Sequence, residues 1–428
     1  MSIPVSLNMN LRGIGQSATL AINERSKALR REGRKIYGLG LGQSPFPIPQ
    51  SVVDSLKMHA HEKDYLHVQG LPALRTAVAE FHIKKDLADI HPDQVLIGPG
   101  SKELMFLLQL VFYGEIILPS PSWVSYHPQA HILGRPVRFI HTSFEDKWRL
   151  TADMLERHCA ADNDNTKPRL IILNYPSNPD GGSYTADELE AIGSIARKNN
   201  IILLSDEIYG QLHFEGEHVS VSRYYPEGTI ISSGLSKWCG AGGWRLGTFS
   251  FPPQLSWLRE AMAAAASETY TSVSAPIQYA AIRAFKCGIN IERYLWRVRK
   301  ILKALATDTV RILQDGGVRV HMPDGAFYLF IDCSPFAEKL HARNIHNSMD
   351  MCEALLQETG MAILPGAAFN RPANEFTARL ATVNFDGAKA LAKCETIPLD
   401  TPLPDSFTKT YCKETLDACK RIVKWLHD

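Results

Sequence analysis

From about residue 94 the chain alternates between short continuous apolar runs and longer amphipathic stretches. QVLIG precedes SKELMFLLQLVF, EIILP follows, RLIILN precedes TADELEAIGSIARKN, and IILLSDE and TIISSG come next. Apolar runs that do not alternate predict strands covered on both faces, and the longer amphipathic stretches between them predict helices. Strand, helix, strand in succession predicts the α/β class, with a mainly parallel central sheet between helical layers.

Outside that core the pattern changes. Residues 17–35 are rich in helix formers, and the charges of KALRREGRK suit a solvated helix face. GLGLGQSPFPIP then predicts a loop, with a boundary near residue 48. Ala263 to Ala266 reads as helix, and no internal repeat is visible. After Arg311 the strands thin to GAFYLFID and ARLATVNF, before a final helix over Lys413 to Leu426. The expected division is an N-terminal arm with part of a small domain (1–48), a large domain (49–311) and a small C-terminal α/β domain (312–428). The Pro-rich stretch 394–410 reads as a surface excursion.

Composition narrows the partners. The 428 residues are 45% hydrophobic and 21% charged, with 46 basic against 45 acidic side chains, which excludes a disordered chain. A formal charge of +1 without a basic stripe gives no electrostatic reason to expect nucleic acid or an anionic membrane, so the expected ligand is a small molecule. The start, MSIPVSLNMNLRG, lacks the plan of a secretory signal, and the charge-free run Ile116–Gly134 carries three prolines and two histidines, unlike a membrane helix. Cytoplasmic residence is expected. The eight cysteines never form a C-x-x-C pair and read as free thiols.

The candidate chemistry lies just beyond the strands, where open α/β sheets bind ligands. After QVLIG, Pro99-Gly100-Ser101-Lys102 opens a helix whose amides can meet an anion. After RLIILN comes the rigid turn Tyr175-Pro176-Ser177-Asn178-Pro179-Asp180-Gly181, and after IILLS come Asp206 and Tyr209. After TIISSG come Ser236 and Lys237, then a glycine-rich turn and Arg245. A lysine amine can condense with an aldehyde, an arginine fork can bind phosphate, and an acid can pair with a protonated ring nitrogen. Pyridoxal phosphate satisfies all three.

GLSKWCGAGGWRLG, residues 234–247, resembles the pyridoxal-lysine signature of class I aminotransferases. Supporting motifs stand in the family's order: QSATLAIN (16–23), GQSPF (42–46), DYLHVQGLPALR (64–75), PSPSWVSY (119–126), NYPSNPDG (174–181), SDEIYGQL (205–212), GAFYLF (325–330), ILPGAAF (363–369) and ARL (378–380). The similarity spans nearly the whole chain and is strongest to the bacterial aspartate aminotransferase-like subgroup with the fold type I architecture.

The resemblance implies a homodimeric transaminase that exchanges an amino group between an L-amino acid and a 2-oxo acid in two half-reactions. Lys237 would form the imine with the cofactor and shuttle the proton, and Asp206 would keep the ring nitrogen protonated. Asn178 and Tyr209 would bond the ring's phenolic oxygen, lowering the imine's proton affinity, while Trp123 would stack on the ring. Arg245, the helix-start amides of Ser101 and Lys102, Ser236, and Tyr65 from a second subunit would hold the phosphate. Arg379 would grip the substrate α-carboxylate with Gly42 beside it. His67, Tyr270, Ile14 and Gly15 are candidates for the substrate pocket.

Four departures are visible. Gly234 replaces a phosphate-binding serine, Asp180 replaces the threonine of the usual turn, and Ser101 stands where some relatives carry a lysine that reads a distal carboxylate, with Lys102 next door. The stretch 267–276 also lacks an arginine that other relatives offer across the dimer, which weakens the expectation of aspartate as substrate. Lyase or cyclopropane-forming chemistry on the same cofactor is the first alternative, and a noncatalytic cofactor-bound regulator the second. The intact lysine and the lack of an appended DNA-binding segment argue against the regulator.

Overall fold

The computed structural model describes residues 8–86, 88–161 and 167–428. The start of the N-terminal arm, residues 1–7, lies outside the described residues.

The apolar runs become strands of one seven-stranded sheet. In chain order these are β1 (Val95–Gly98), β2 (Glu115–Ser120), β3 (Val137–His141), β4 (Arg169–Asn174), β5 (Ile201–Asp206), β6 (Thr229–Gly234) and β7 (Gly247–Ser250). They lie in the order β1-β7-β6-β5-β4-β2-β3. β3, β2, β4, β5 and β6 run parallel, while β7 is antiparallel to both β6 and β1. Leu170, Ile171, Leu203, Leu204, Ile230 and Ile231 are fully buried, because helices cover both faces of these strands. Each such aliphatic side chain contributes about 2 kcal/mol relative to exposure.

Within this sheet, β3 and β7 are the two strands that the hydrophobic pattern does not reveal. β3 is an edge strand whose residues are mostly half-buried or exposed, so VRFIH lacks a continuous apolar run. β7 is GTFS, short and weakly apolar, and it owes its place to pairing on both sides.

A three-stranded antiparallel sheet follows: β8 (Tyr328–Asp332), β9 (Leu364–Pro365) and β10 (Thr377–Ala381), in the order β9-β10-β8. Tyr37–Gly38 pairs in parallel with Met361–Ala362, so the arm joins this second layer early. Tyr37 and Leu39 pack in its core, whereas Phe46 packs in that of the first layer.

The 27-residue helix Ile289–Asp315 links the two layers. Its residues from Ile291 to Ala306 pack with the first core, while Val310 and Leu313 pack with the second. The Pro-rich stretch 394–410 is a surface excursion only in its middle. Cys394 and Phe407 at its ends are buried against the first core, and Lys300 on the long helix donates to the Leu399 carbonyl at 3.3 Å. Its apolar residues, which composition alone hides among prolines, pin it down. Among the described residues no helix is long and apolar enough to cross a membrane.

Candidate active site

The carboxyl ends of β4, β5 and β6 deliver the first group of side chains. Asp206 is the last residue of β5 and is buried. Tyr126 donates to its Oδ2 at 2.6 Å and Ser232, on β6, to its Oδ1 at 3.1 Å. Burial pushes this carboxyl up to about 6, against the pull of those donors and of Lys237. The Asn174 side chain, at the end of β4, donates to the Asp206 carbonyl at 2.8 Å and accepts from the Asn178 amide at 2.7 Å. The turn carrying Asn178 is thus tied to the strand carrying Asp206. Asp180 closes that turn, accepting from Ser177 at 2.6 Å and from the Gly182 amide at 2.7 Å.

Lys237, in the turn after β6, is half-buried. Its Nζ donates to the Gly42 carbonyl at 2.9 Å and lies 5.4 Å from the centre of the Tyr209 ring. Gly42 is required there, because a Cβ would come 1.9 Å from the Tyr328 hydroxyl.

The second layer delivers Arg379 from β10, only 1% exposed. Its Nη1 donates to Asn178 Oδ1 at 2.9 Å and its Nη2 to the Gly40 carbonyl, while Tyr328 and Phe369 lie beneath it at 4.7 and 5.0 Å. Its Nε is buried with no hydrogen-bond partner among the described residues. A fork that meets only neutral acceptors and leaves its Nε–H unspent has the capacity to bind a carboxylate.

The third group surrounds the start of the helix Ser101–Val111. Gly100 has φ +93°, and a Cβ on it would strike Arg245 Nη2. Arg245 donates to the carbonyls of Gly242 and Pro99 at 2.9 and 3.2 Å. Burial, with Arg245 nearby, lowers Lys102 below its ordinary value. Two cations at the positive end of a helix repel it and each other, whereas an anion between them is attracted to all three. Ser236 is half-buried in the adjoining turn. Trp123, also half-buried, meets Tyr126 edge-on at 5.2 Å and carries Lys102 Nζ 5.5 Å from its ring.

A family model, "Aminotransferase class I and II", matches residues 34–382. The chain belongs to this family. It is 33% identical over 366 residues to the aspartate aminotransferase of Bacillus sp. (strain YM-2), covering 83% of this aminotransferase and 90% of that relative. It is also 33% identical to the asparagine–oxo-acid transaminase of Streptococcus mutans, over 84% and 91% of the two chains. The solved aspartate aminotransferase from Thermus thermophilus with maleate superposes with a TM-score of 0.82 at 26% identity, over 98% of this chain and 100% of that one. The aminotransferase therefore has the fold type I α/β architecture of a pyridoxal phosphate-dependent transaminase.

The aminotransferase's own residues fit that cofactor: a buried acid for the ring nitrogen, an amine on a neutral carbonyl, and an anion cradle at a helix start. Most of the residues singled out in the sequence are brought together. Tyr65 is not, being 91% exposed on its own chain. His67 and Gly15 are exposed and Ile14 half-buried, while Tyr270 donates to the Ile97 carbonyl at 3.3 Å and packs on the core.

The motifs PSPSWVSY and GAFYLF hold two participants that the sequence reading leaves without a role, Tyr126 and Tyr328. Behind Asp206 lies a further buried set with no sequence signal. Glu207 Oε2 pairs with His218 Nε2 at 2.8 Å, and its Oε1 takes Ser205 at 2.8 Å and Ser220 at 2.5 Å. Burial opposes its charge, yet His218 and these hydroxyls hold Glu207 below its ordinary value. Tyr175 joins them through Ser205 at 2.9 Å, so the set braces the turn that begins at Tyr175.

Proposed function

We propose that this transaminase holds pyridoxal 5′-phosphate on Lys237 and works by a ping-pong exchange between an L-amino acid and a 2-oxo acid. The observation that carries the reading is the convergence of Lys237 and the buried, half-satisfied Arg379 on the segment 40–42, one on the Gly42 carbonyl and the other on that of Gly40. When bound, the cofactor supplies the carbon that accepts the amino group and a ring that absorbs negative charge.

Asp206 keeps the ring nitrogen protonated, with Tyr126 and Ser232 fixing its two oxygens. Tyr209 and Asn178 bond the ring's phenolic oxygen, and Trp123 covers a ring face. Arg245, the amides of Ser101 and Lys102, and Ser236 hold the phosphate. Arg379 binds the α-carboxylate beside Gly42, replacing neutral acceptors by a charged one. Lys237 would take the proton from the substrate α carbon as general base and, as the conjugate acid, give it to the cofactor carbon that receives the amino group.

The same reading includes a homodimer with shared sites, in which Tyr65, exposed on its own chain, would reach the phosphate of a second subunit. The division into an arm and part of a small domain (1–48), a large domain (49–311) and a small one (312–428) gives Arg379 and Lys237 to different domains. Cytoplasmic residence agrees with the burial of all eight cysteines.

The test is incubation of the cofactor-loaded enzyme with a panel of amino acids and 2-oxoglutarate, headed by aspartate and asparagine, the donors named in its relatives. Glutamate formation is expected. Pyruvate and ammonia released without an acceptor would instead indicate a lyase.

A further inference from the structure

The hydroxyls of Tyr209 and Tyr328 lie 2.7 Å apart, both buried. Each phenol has one proton, so one ring donates and the other accepts. Were Tyr209 the donor to Tyr328, its proton would be spent and unable to reach a ligand. With Tyr328 as donor, Tyr209 keeps its proton, and accepting a hydrogen bond makes it a stronger donor in turn.

The surroundings favour the second arrangement. The Arg379 guanidinium lies 4.7 Å over the Tyr328 ring, nearer than the Lys237 ammonium lies to the Tyr209 ring at 5.4 Å, and the closer cation makes Tyr328 the better donor. The other charged groups around the pair are Lys237, over the Tyr209 ring, and Asp206. Tyr328 is held without freedom: it pairs with Ala381 at the start of β8, and its hydroxyl abuts Gly42, whose carbonyl takes the Lys237 amine.

We propose that Tyr328 is a positioning residue that donates its hydroxyl proton to Tyr209 and thereby sets how tightly the Lys237 nitrogen holds its proton in the cofactor-loaded enzyme. This rests on the cofactor reading above. A stronger donor from Tyr209 steadies negative charge on the ring's phenolic oxygen, which weakens that oxygen's pull on the proton at the Lys237 nitrogen. Tyr328 thus acts through Tyr209 without itself touching the cofactor.

The test is the pH titration of visible absorbance in the loaded enzyme. Tyr328→Phe keeps the ring under Arg379, removes only the hydroxyl, and is expected to raise the midpoint by about half a pH unit. Fluorotyrosine at the same position, a more acidic phenol, is expected to lower it. In a Tyr209→Phe background Tyr328→Phe should add nothing further. A Tyr328→Phe curve that superimposes on the unsubstituted one, or shifts that simply add in the double variant, would overturn the proposal. Thermal melts of the same samples separate these outcomes from a loss of fold. A colourless unsubstituted protein would sink the cofactor reading and this inference with it, whereas a coloured one with no shift sinks this inference alone.

Discussion

Asp206 and Arg379 are both buried charges, yet the protein treats them differently. Asp206, at the end of β5, receives hydrogen bonds from Tyr126 and Ser232 and needs no ligand to be satisfied. Arg379, on β10 of the second layer, meets only the neutral oxygens of Asn178 and Gly40 and keeps Nε unspent. A site that must hold one group through every turnover can be completed in advance. A site that binds and releases substrate twice per cycle has to keep part of its bonding capacity open. On the proposed function, the large sheet would build the permanent end and the small sheet the exchanging one.

That contrast can be broken in four places. The largest effect is expected where the two ends meet: Lys237→Ala should lower turnover by at least about 10³-fold while the thermal midpoint stays near that of the parent. Substantial turnover by the variant would refute its role as base. Next, Arg379→Ala should raise the Michaelis constants of donor and acceptor together, lowering kcat/KM by about 10²-fold or more, since it removes the charged partner of a buried carboxylate. An effect on one substrate alone would contradict a shared receptor.

Tyr126→Phe should act on the permanent end only. It removes a hydrogen bond to a charged group, worth about 1.5–3 kcal/mol, so cofactor affinity should fall at least about 10-fold with Michaelis constants little changed. Equilibrium titration with cofactor checks it, and a change confined to substrate constants would reverse the assignment.

The smallest effect concerns pH. Asp206 and Asp180 are each raised to about 6 by burial, from an ordinary 3.8. Between those values the folded chain holds protons that the unfolded chain has released, so these groups make the cofactor-free protein less stable as pH rises from about 4 to 6. Asp206→Asn should flatten that slope in thermal melts taken across the interval. An unchanged slope would show that the carboxyl is not raised.

Much of this was legible in the sequence because the reacting groups follow apolar strands directly, as Asp206 follows IILLS and Lys237 follows TIISSG. The five strands read from the large sheet are continuous apolar runs, whereas β3 at the edge and the weakly apolar though buried β7 depend on neighbours that only the fold supplies. The same holds in the site. Tyr126, Ser232 and Tyr328 act by touching another side chain across the sheet or between the layers, a relation that no spacing along the chain encodes. Glu207 and His218 were hidden for that reason as well, being eleven residues apart in sequence and joined by a buried ion pair.

The most direct test of the central claim is borohydride reduction of the purified protein followed by peptide mapping. A yellow protein is expected, with a stable pyridoxyl tag on the peptide that contains Lys237. A colourless protein, or a tag on any other lysine, would contradict the claim.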